Sequence, residues 1–531
     1  MRILRFISTI GFLKPIQIIY QLRYRVLGYK RIDKTDCSWI LSNRTILLSD
    51  LDENPDYLRR FKPEMILENR IELLNREVRW KPGVWNYESE SHLWNFTLHY
   101  FEFGISLAYM FRETKDELYI KKLLELYGDW HNTALKDSKD IWHPYTVSLR
   151  LRNVLIIYCM LDSEWRERWS SLVLEDICLQ YRFLKKNQEK NLLGNHYLEN
   201  LITLYICSIF LEDKDREQYK NRLFSEIKEQ ILPDGMHFER SFMYHNLILE
   251  GLLRCYVISD EAAKCELSDV IRRMTDCIVG FETEKRIPHF NDAASNVAKS
   301  RDQLINAVKD TISYTATQIE HLSHSGYHRF ESDGFVLLFD AGEIAPKYIS
   351  GHSHCDTLSF ELFLGDTPIL VNSGTYGYQT EHRAYFRSTR AHNTIMADGV
   401  EQSDVWSEHR TARRATVEKV SLTDNAIRAE IRDFKGNYLS RKIEMGTTIL
   451  VTDHSKSEFT SFWHIHPEVE VTMLNDSAIL MHKSNAEIIL EACGGQFKEV
   501  SKSCYYSEEI GKICSNRVFK SSAERIEIRR R

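Results

Sequence analysis

Three patches of this chain gather histidine with other proton-bearing side chains. One reads Gly351-His352-Ser353-His354-Cys355-Asp356, at the head of a strand-like run that ends near Leu364. Two residues two apart on a strand share a face, and neither imidazole can be buried without a polar partner. A third histidine, His392, follows in Arg390-Ala391-His392-Asn393-Thr394. Upstream lie Gly194-Asn195-His196-Tyr197-Leu198-Glu199-Asn200 and the run from Asp234 to His245, which contains His237, Glu239, Arg240 and Tyr244. Histidine exchanges protons near neutrality, and tyrosine and carboxylates extend that range. Three such patches on an otherwise ordinary chain point to one shared site rather than three accidents.

Two kinds of element must bring the patches together. From about residue 90 to 320, apolar residues recur at three- and four-residue spacing, as in Leu98 to Ile105, Leu118 to Leu124, Val147 to Leu161, Leu198 to Leu211, Leu247 to Ile258 and Val270 to Val279. Short polar breaks such as 137–140 and 212–216 separate them. This spacing predicts a series of αα-hairpins, which could close into a ring or stack as a solenoid. Beyond Tyr327 the period changes to two, in Phe335 to Asp340, Leu358 to Leu364, Ile427 to Arg432, Thr448 to Asp453 and Ala486 to Glu491, with turns at Gly365-Asp366, Asp398-Gly399 and Lys435-Gly436. Many short antiparallel strands predict a β-sandwich. The expected class is therefore α+β and multidomain: a leader over 1–75, a helical domain over 76–320 and a sandwich over 321–531.

The chain has 531 residues, 43% hydrophobic and 27% charged, with net charge −6. That is soluble, globular composition for about two domains and argues against a nucleic-acid partner, which calls for a basic face. A local basic patch for a polyanion remains compatible with it. The 11 cysteines are odd in number and form no CxxC pair. Buried reduced thiols are expected, favouring a reducing, cytoplasmic setting over a periplasmic or membrane-peripheral one. The basic, apolar start is interrupted by Lys14-Pro15 and lacks a small-residue cleavage site. It makes a poor signal peptide and is too short for a span. With Arg23, Arg25, Tyr29, Lys30 and Arg31 following, it is expected to be an amphipathic packing segment, a peripheral membrane contact being the alternative.

The motifs His-Ser-His-x-Asp-x-Leu-Ser-Phe-Glu from His352, Phe-Arg-Ser-Thr-x-Ala-His-Asn-Thr from Phe386, Asn-His-x-x-Glu-Asn from Asn195 and the Asp234–His245 run together resemble the heparinase II/III-type polysaccharide lyases over roughly residues 80 to 500. The resemblance implies an incomplete (α/α) toroid followed by an antiparallel β-sandwich, with a cleft between them. It implies β-elimination on a uronic-acid-containing anionic polysaccharide or oligosaccharide. By resemblance, Asn195 and His196 hold and neutralise the uronate, Tyr244 transfers a proton at C5 or the leaving oxygen, and His352 is the sandwich-side catalytic histidine. A free tyrosine titrates near ~10, so Tyr244 would need cations such as Arg240 or His245 to act as a base. Glu199, three residues after His196, is expected on the same helical face to orient it. No cofactor is required, but some members of the family hold structural zinc through His-Asp-His. Here His354 and His392 match the outer ligands and Asn372 the middle one, a poor zinc ligand. Without metal, the two histidines could hydrogen-bond through Asn372.

Other residues are open to two readings. Asn195 could be a helix cap. Arg383, Arg387 and Arg390 could form a solvated strand face or fork onto substrate acids. Trp80, Trp85, Trp94 and Trp142 could stack on sugars or fill the core. Trp463-His464-Ile465-His466 is read as sandwich packing. A hydrolase would need two carboxyl groups, for which Asp234, Glu239 and Glu199 are candidates. A non-catalytic or biosynthetic role in surface-polysaccharide assembly is the third possibility; Glu239, Arg240, His245, Arg387 and Arg390 remain expected substrate contacts.

Overall fold

The computed structural model describes residues 2–30, 32, 45–46, 55–134, 140–284, 286–483, 486–501 and 504–531. Arg31 and residues 137–139 of the first polar break lie outside them.

Helices Phe103–Thr114, Pro144–Met160, Gly194–Phe210 and Phe242–Ile258 are buried along most of their length. Each is followed by one of Glu117–Thr133, Ser163–Lys186, Arg216–Gln230 and Glu261–Phe281, which bury one side only. This strict alternation of apolar and amphipathic helices is what a double layer of helices requires. Their starts are written in the sequence: Asp116, Asp162, Ser241 and Asp260 each accept a backbone N–H of the first turn. The helix expected across Leu98 to Ile105 is instead two helices, because Phe101 adopts φ 58° between them. Trp80, Trp85 and Trp94 are buried in the helical core.

From His321 the chain is antiparallel strands in two large sheets. One runs from Thr416–Thr423 through Ala426–Arg432, Tyr438–Glu444 and Thr448–Ser455 to Arg525–Arg530 and on to Glu470–Asn475. The other includes Phe360–Leu364, Phe335–Asp340 and Tyr327–Ser332 as neighbours toward one edge. Alternate residues such as Ile427, Ala429 and Ile431 meet Phe335, Leu337 and Phe339 in one core. Phe335–Asp340 is buried at every position. Its other side, Val336 and Leu338, packs with Phe242, Met243, Tyr244, Phe281 and Phe290 from the helical part. One strand thus belongs to two cores and fixes the seam on which Tyr244 sits.

The strand expected from Gly351 begins only at Phe360. Residues 351–359 are loop, so His352 and His354 are placed by side-chain bonds rather than by a pleat. Arg383 likewise begins a short helix, Arg383–Phe386, not a strand face.

Candidate active site

A cleft of about 1470 Å³ opens along the seam, and Asn195, His196, Tyr244 and His352 all line it. The first two come from the start of helix Gly194–Phe210. Leu193 and Gly194 both take positive φ there, and a Cβ on Gly194 would collide with the Glu239 carboxylate. Glycine is therefore needed to let the chain turn against Glu239. The Asn195 backbone N–H donates to Glu239 Oε1 at 2.8 Å. Asn195 is not the helix cap, a position held by Leu193. Its buried side-chain oxygen has no hydrogen-bond partner among the described residues, which leaves capacity for a ligand.

His196 Nδ1 lies 2.9 Å from Glu189 Oε1, and its ring packs on Tyr145 at 4.6 Å. Burial works against its charge, but Glu189 overcomes this and raises its pKa. The expected partner Glu199 does something else: it is buried 2.6 Å from Arg152 and off the cleft wall. An internal guanidinium demands a carboxylate, and Glu199 supplies it.

Ser241 caps the helix that carries Tyr244, accepting the Tyr244 N–H at 3.3 Å and donating its own hydroxyl to the Asp292 carbonyl. The Tyr244 ring stacks on His352 at 3.9 Å, and its hydroxyl is 2.6 Å from that of Tyr378. Burial, then the neighbouring Tyr378 and Asp292, push the Tyr244 pKa well up. The expected help from Arg240 and His245 is absent. Arg240 bonds the Ser325 carbonyl at 2.9 Å, and His245 faces the Met274 carbonyl at 2.9 Å. Neither lines the cleft. Glu239 is buried behind Asn195, with Oε2 3.7 Å from His352 Nε2, so it supports the wall rather than forming it.

Behind His352 stands Asp292. It accepts from His352 Nδ1 at 3.0 Å, from His354 Nε2 at 2.9 Å and from both arms of Arg383. Burial raises the cost of its charge, yet Arg383 and the two imidazoles hold its carboxyl well below the usual range. Arg383 therefore forks onto Asp292, not substrate. Arg387 is spent on the backbone carbonyls of Ser353, Ser407 and Glu408. Arg390 is exposed beside Tyr385 and off the cleft.

His354, Asp356 and His392 bring three ligand atoms within 4.8 Å of one another. His354 donates through Nε2 to Asp292, and His392 through Nδ1 to the Ser388 carbonyl at 2.9 Å. Burial keeps both neutral, pushing His354 down to about 4 and His392 well below its ordinary value. Their remaining ring nitrogens are then two lone pairs facing each other at 3.2 Å. A cation between them would turn that repulsion into ligation, so the donor set fits a metal. The carboxylate is Asp356, not residue 372. Asn372 bonds Ser359 and the Asn393 N–H, and the histidines meet without it.

Asp292, Glu189, Tyr378 and His409 were not singled out from sequence. Asp292 carried a signal, a carboxylate in the apolar run Phe290-Asn291-Asp292-Ala293-Ala294, which cannot be buried unpaired. Tyr378 and His409 line the cleft with rings 5.4 Å apart.

Two models of one family match nearly the whole chain: "Heparinase II/III N-terminus" over residues 59–318 and "Heparinase II/III-like, C-terminal" over residues 315–528. A heparin-sulfate lyase of Pedobacter heparinus is 21% identical over 371 residues, 61% of this chain and 54% of that protein. One from Bacteroides thetaiotaomicron is 22% identical over 397 residues, 63% of this chain and 56% of that one. The chain thus spans about half the length of the curated relatives it matches. A solved heparinase III structure superposes with a TM-score of 0.69 at 16% identity, over 97% of this chain and 91% of that one, a likeness of fold.

Proposed function

The chain belongs to the heparinase II/III family, and on that premise we propose that its cleft cleaves a uronic-acid-containing anionic glycan by β-elimination. The observation that carries this reading is the convergence of Asn195, His196, Tyr244 and His352 on one cleft. The names of the heparin-sulfate lyases it resembles support a polysaccharide substrate.

The C5 proton beside a carboxylate is a weak acid, so the carboxylate must be neutralised before the proton can leave. His196, whose pKa Glu189 raises, and the side-chain amide N–H of Asn195 beside it are suited to that task. Asp292 accepts the His352 Nδ1 proton and leaves Nε2 as the base. The proton passes from C5 to Nε2, its electron pair forms the C4=C5 double bond, and the C4–O bond breaks. Tyr244, whose raised pKa keeps it protonated, donates to the departing oxygen. The stacked ring of His352 then returns a proton to the phenolate, restoring both groups. A divalent cation such as zinc at His354, Asp356 and His392 would act structurally, stiffening the loop that carries His352.

The test is incubation with heparan-, chondroitin- and alginate-type polymers while following the ultraviolet absorbance of an unsaturated uronate. New reducing ends without that absorbance would mean hydrolysis. Binding with neither signal would mean a non-catalytic role in polysaccharide assembly.

A pH prediction follows from His196. Its raised pKa means that the cation is present below that value and lost as pH rises through it. KM for a uronate oligosaccharide should therefore climb on the alkaline side. In Glu189→Gln the climb should begin at lower pH, with kcat changed less than KM. An unmoved KM profile would remove His196 from carboxylate binding.

A further inference from the structure

Helices Arg2–Gly11 and Pro15–Leu27 are mounted inside out. Several of their polar residues face the protein. Arg5 pairs with Asp404 at 2.8 Å, and Thr9 accepts from Trp406 Nε1 at 3.1 Å. On the second helix, Gln17 donates to the Leu192 and Tyr348 carbonyls, Gln21 to that of Asn191 and the Tyr24 hydroxyl to that of Gln188. Positions 17, 21 and 24 share one helical face. The apolar residues are left outside: Ile3 is 75% exposed, Ile7 60%, Ile19 58%, Leu22 59% and Val26 77%. These two helices hold ten of the fifteen large hydrophobic side chains exposed among the described residues. A helix that packed as an ordinary amphipathic segment would do the reverse, so the packing expected from sequence is overturned.

Charge identifies what should cover this face. Residues 1–30 contain six Lys and Arg and no Asp or Glu, in a chain of net charge −6. Self-association through the face would set these cations against one another. An anionic bilayer instead accepts the apolar side chains into its acyl boundary and neutralises the cations with its headgroups. We propose that helices Arg2–Gly11 and Pro15–Leu27 dock the protein on an anionic lipid surface. The same helices contribute Phe6, Thr9, Ile10, Gln17 and Gln21 to the cleft lining, so docking sets the cleft beside the lipid. No helix among the described residues is long and apolar enough to cross a membrane, and the contact is a peripheral one.

The test is sedimentation of the full chain with vesicles of phosphatidylcholine alone and of phosphatidylcholine and phosphatidylglycerol in equal parts. The protein should pellet with the anionic vesicles only, and less so as salt is raised. The pair Ile7→Glu with Ile19→Glu, and separately Arg25→Glu with Lys30→Glu, should each weaken binding by about tenfold or more. All four residues lie off the cleft wall, so melting temperature should stay at the wild-type value. Three results would each overturn the proposal: wild type left in the supernatant of both vesicle types, binding that neither pair of substitutions weakens, or a solution dimer that Ile7→Glu with Ile19→Glu dissociates.

Discussion

Tyr244→Phe should lower kcat for elimination by about 10²–10⁴-fold, the usual worth of a positioned proton donor. The expectation rests on how little else the hydroxyl does. The ring carries the packing against His352 and stays in the variant. Only the contact with the Tyr378 hydroxyl is lost, costing about 0.5–1.5 kcal/mol. The melting temperature should therefore move little, and KM should hold, because the proton is needed only as the C4–O bond breaks. Initial rates by unsaturated-uronate absorbance, with a thermal melt on the same sample, make the check. Full activity in the variant would remove Tyr244 from the mechanism.

Asp292→Asn should be damaging in a different way. One carboxylate here serves four buried partners, His352, His354, Arg383 and Thr375. Removing its charge strands the Arg383 guanidinium, and breaking such a buried pair costs about 3–5 kcal/mol. It also frees His352 to take the other tautomer, so activity should fall even in the folded fraction. Urea unfolding measures the first effect, and rates normalised to folded protein measure the second. Adding Arg383→Met should restore much of the stability and none of the activity. An Asp292→Asn protein that unfolds at the wild-type midpoint would show that Asp292 does not bear the charge described.

The two-part architecture was legible because burial imposes a period. Leu198 to Leu211 could only be a buried helix, and Ile427 to Arg432 only a strand with one side in the core. The cleft residues were legible through motifs. What escaped was contact between segments far apart in sequence. Asp292 and Arg383 are 91 residues apart, and Asp292 and His352 are 60 apart. No local spacing encodes such a pairing. Glu199 shows the opposite failure. Helical spacing set it near His196, but the claim of Arg152, 47 residues away, was stronger. The loop before Gly194 then brought Glu189 to the imidazole instead. Asp356 escaped for a similar reason, since only the fold brings it close to His354 and His392.

The strand Phe335–Asp340 is shared by two hydrophobic interiors, and this limits how far the two lobes can part. Swinging the lobes apart would wet Val336 and Leu338 along with Phe242 and Met243. Widening the gap therefore carries the cost of exposing that interior, and on the proposed function a glycan would enter a slot whose width is largely set by folding. On that function, thickness and branching at the entrance would sort polymers before any chemical group on the sugar is read.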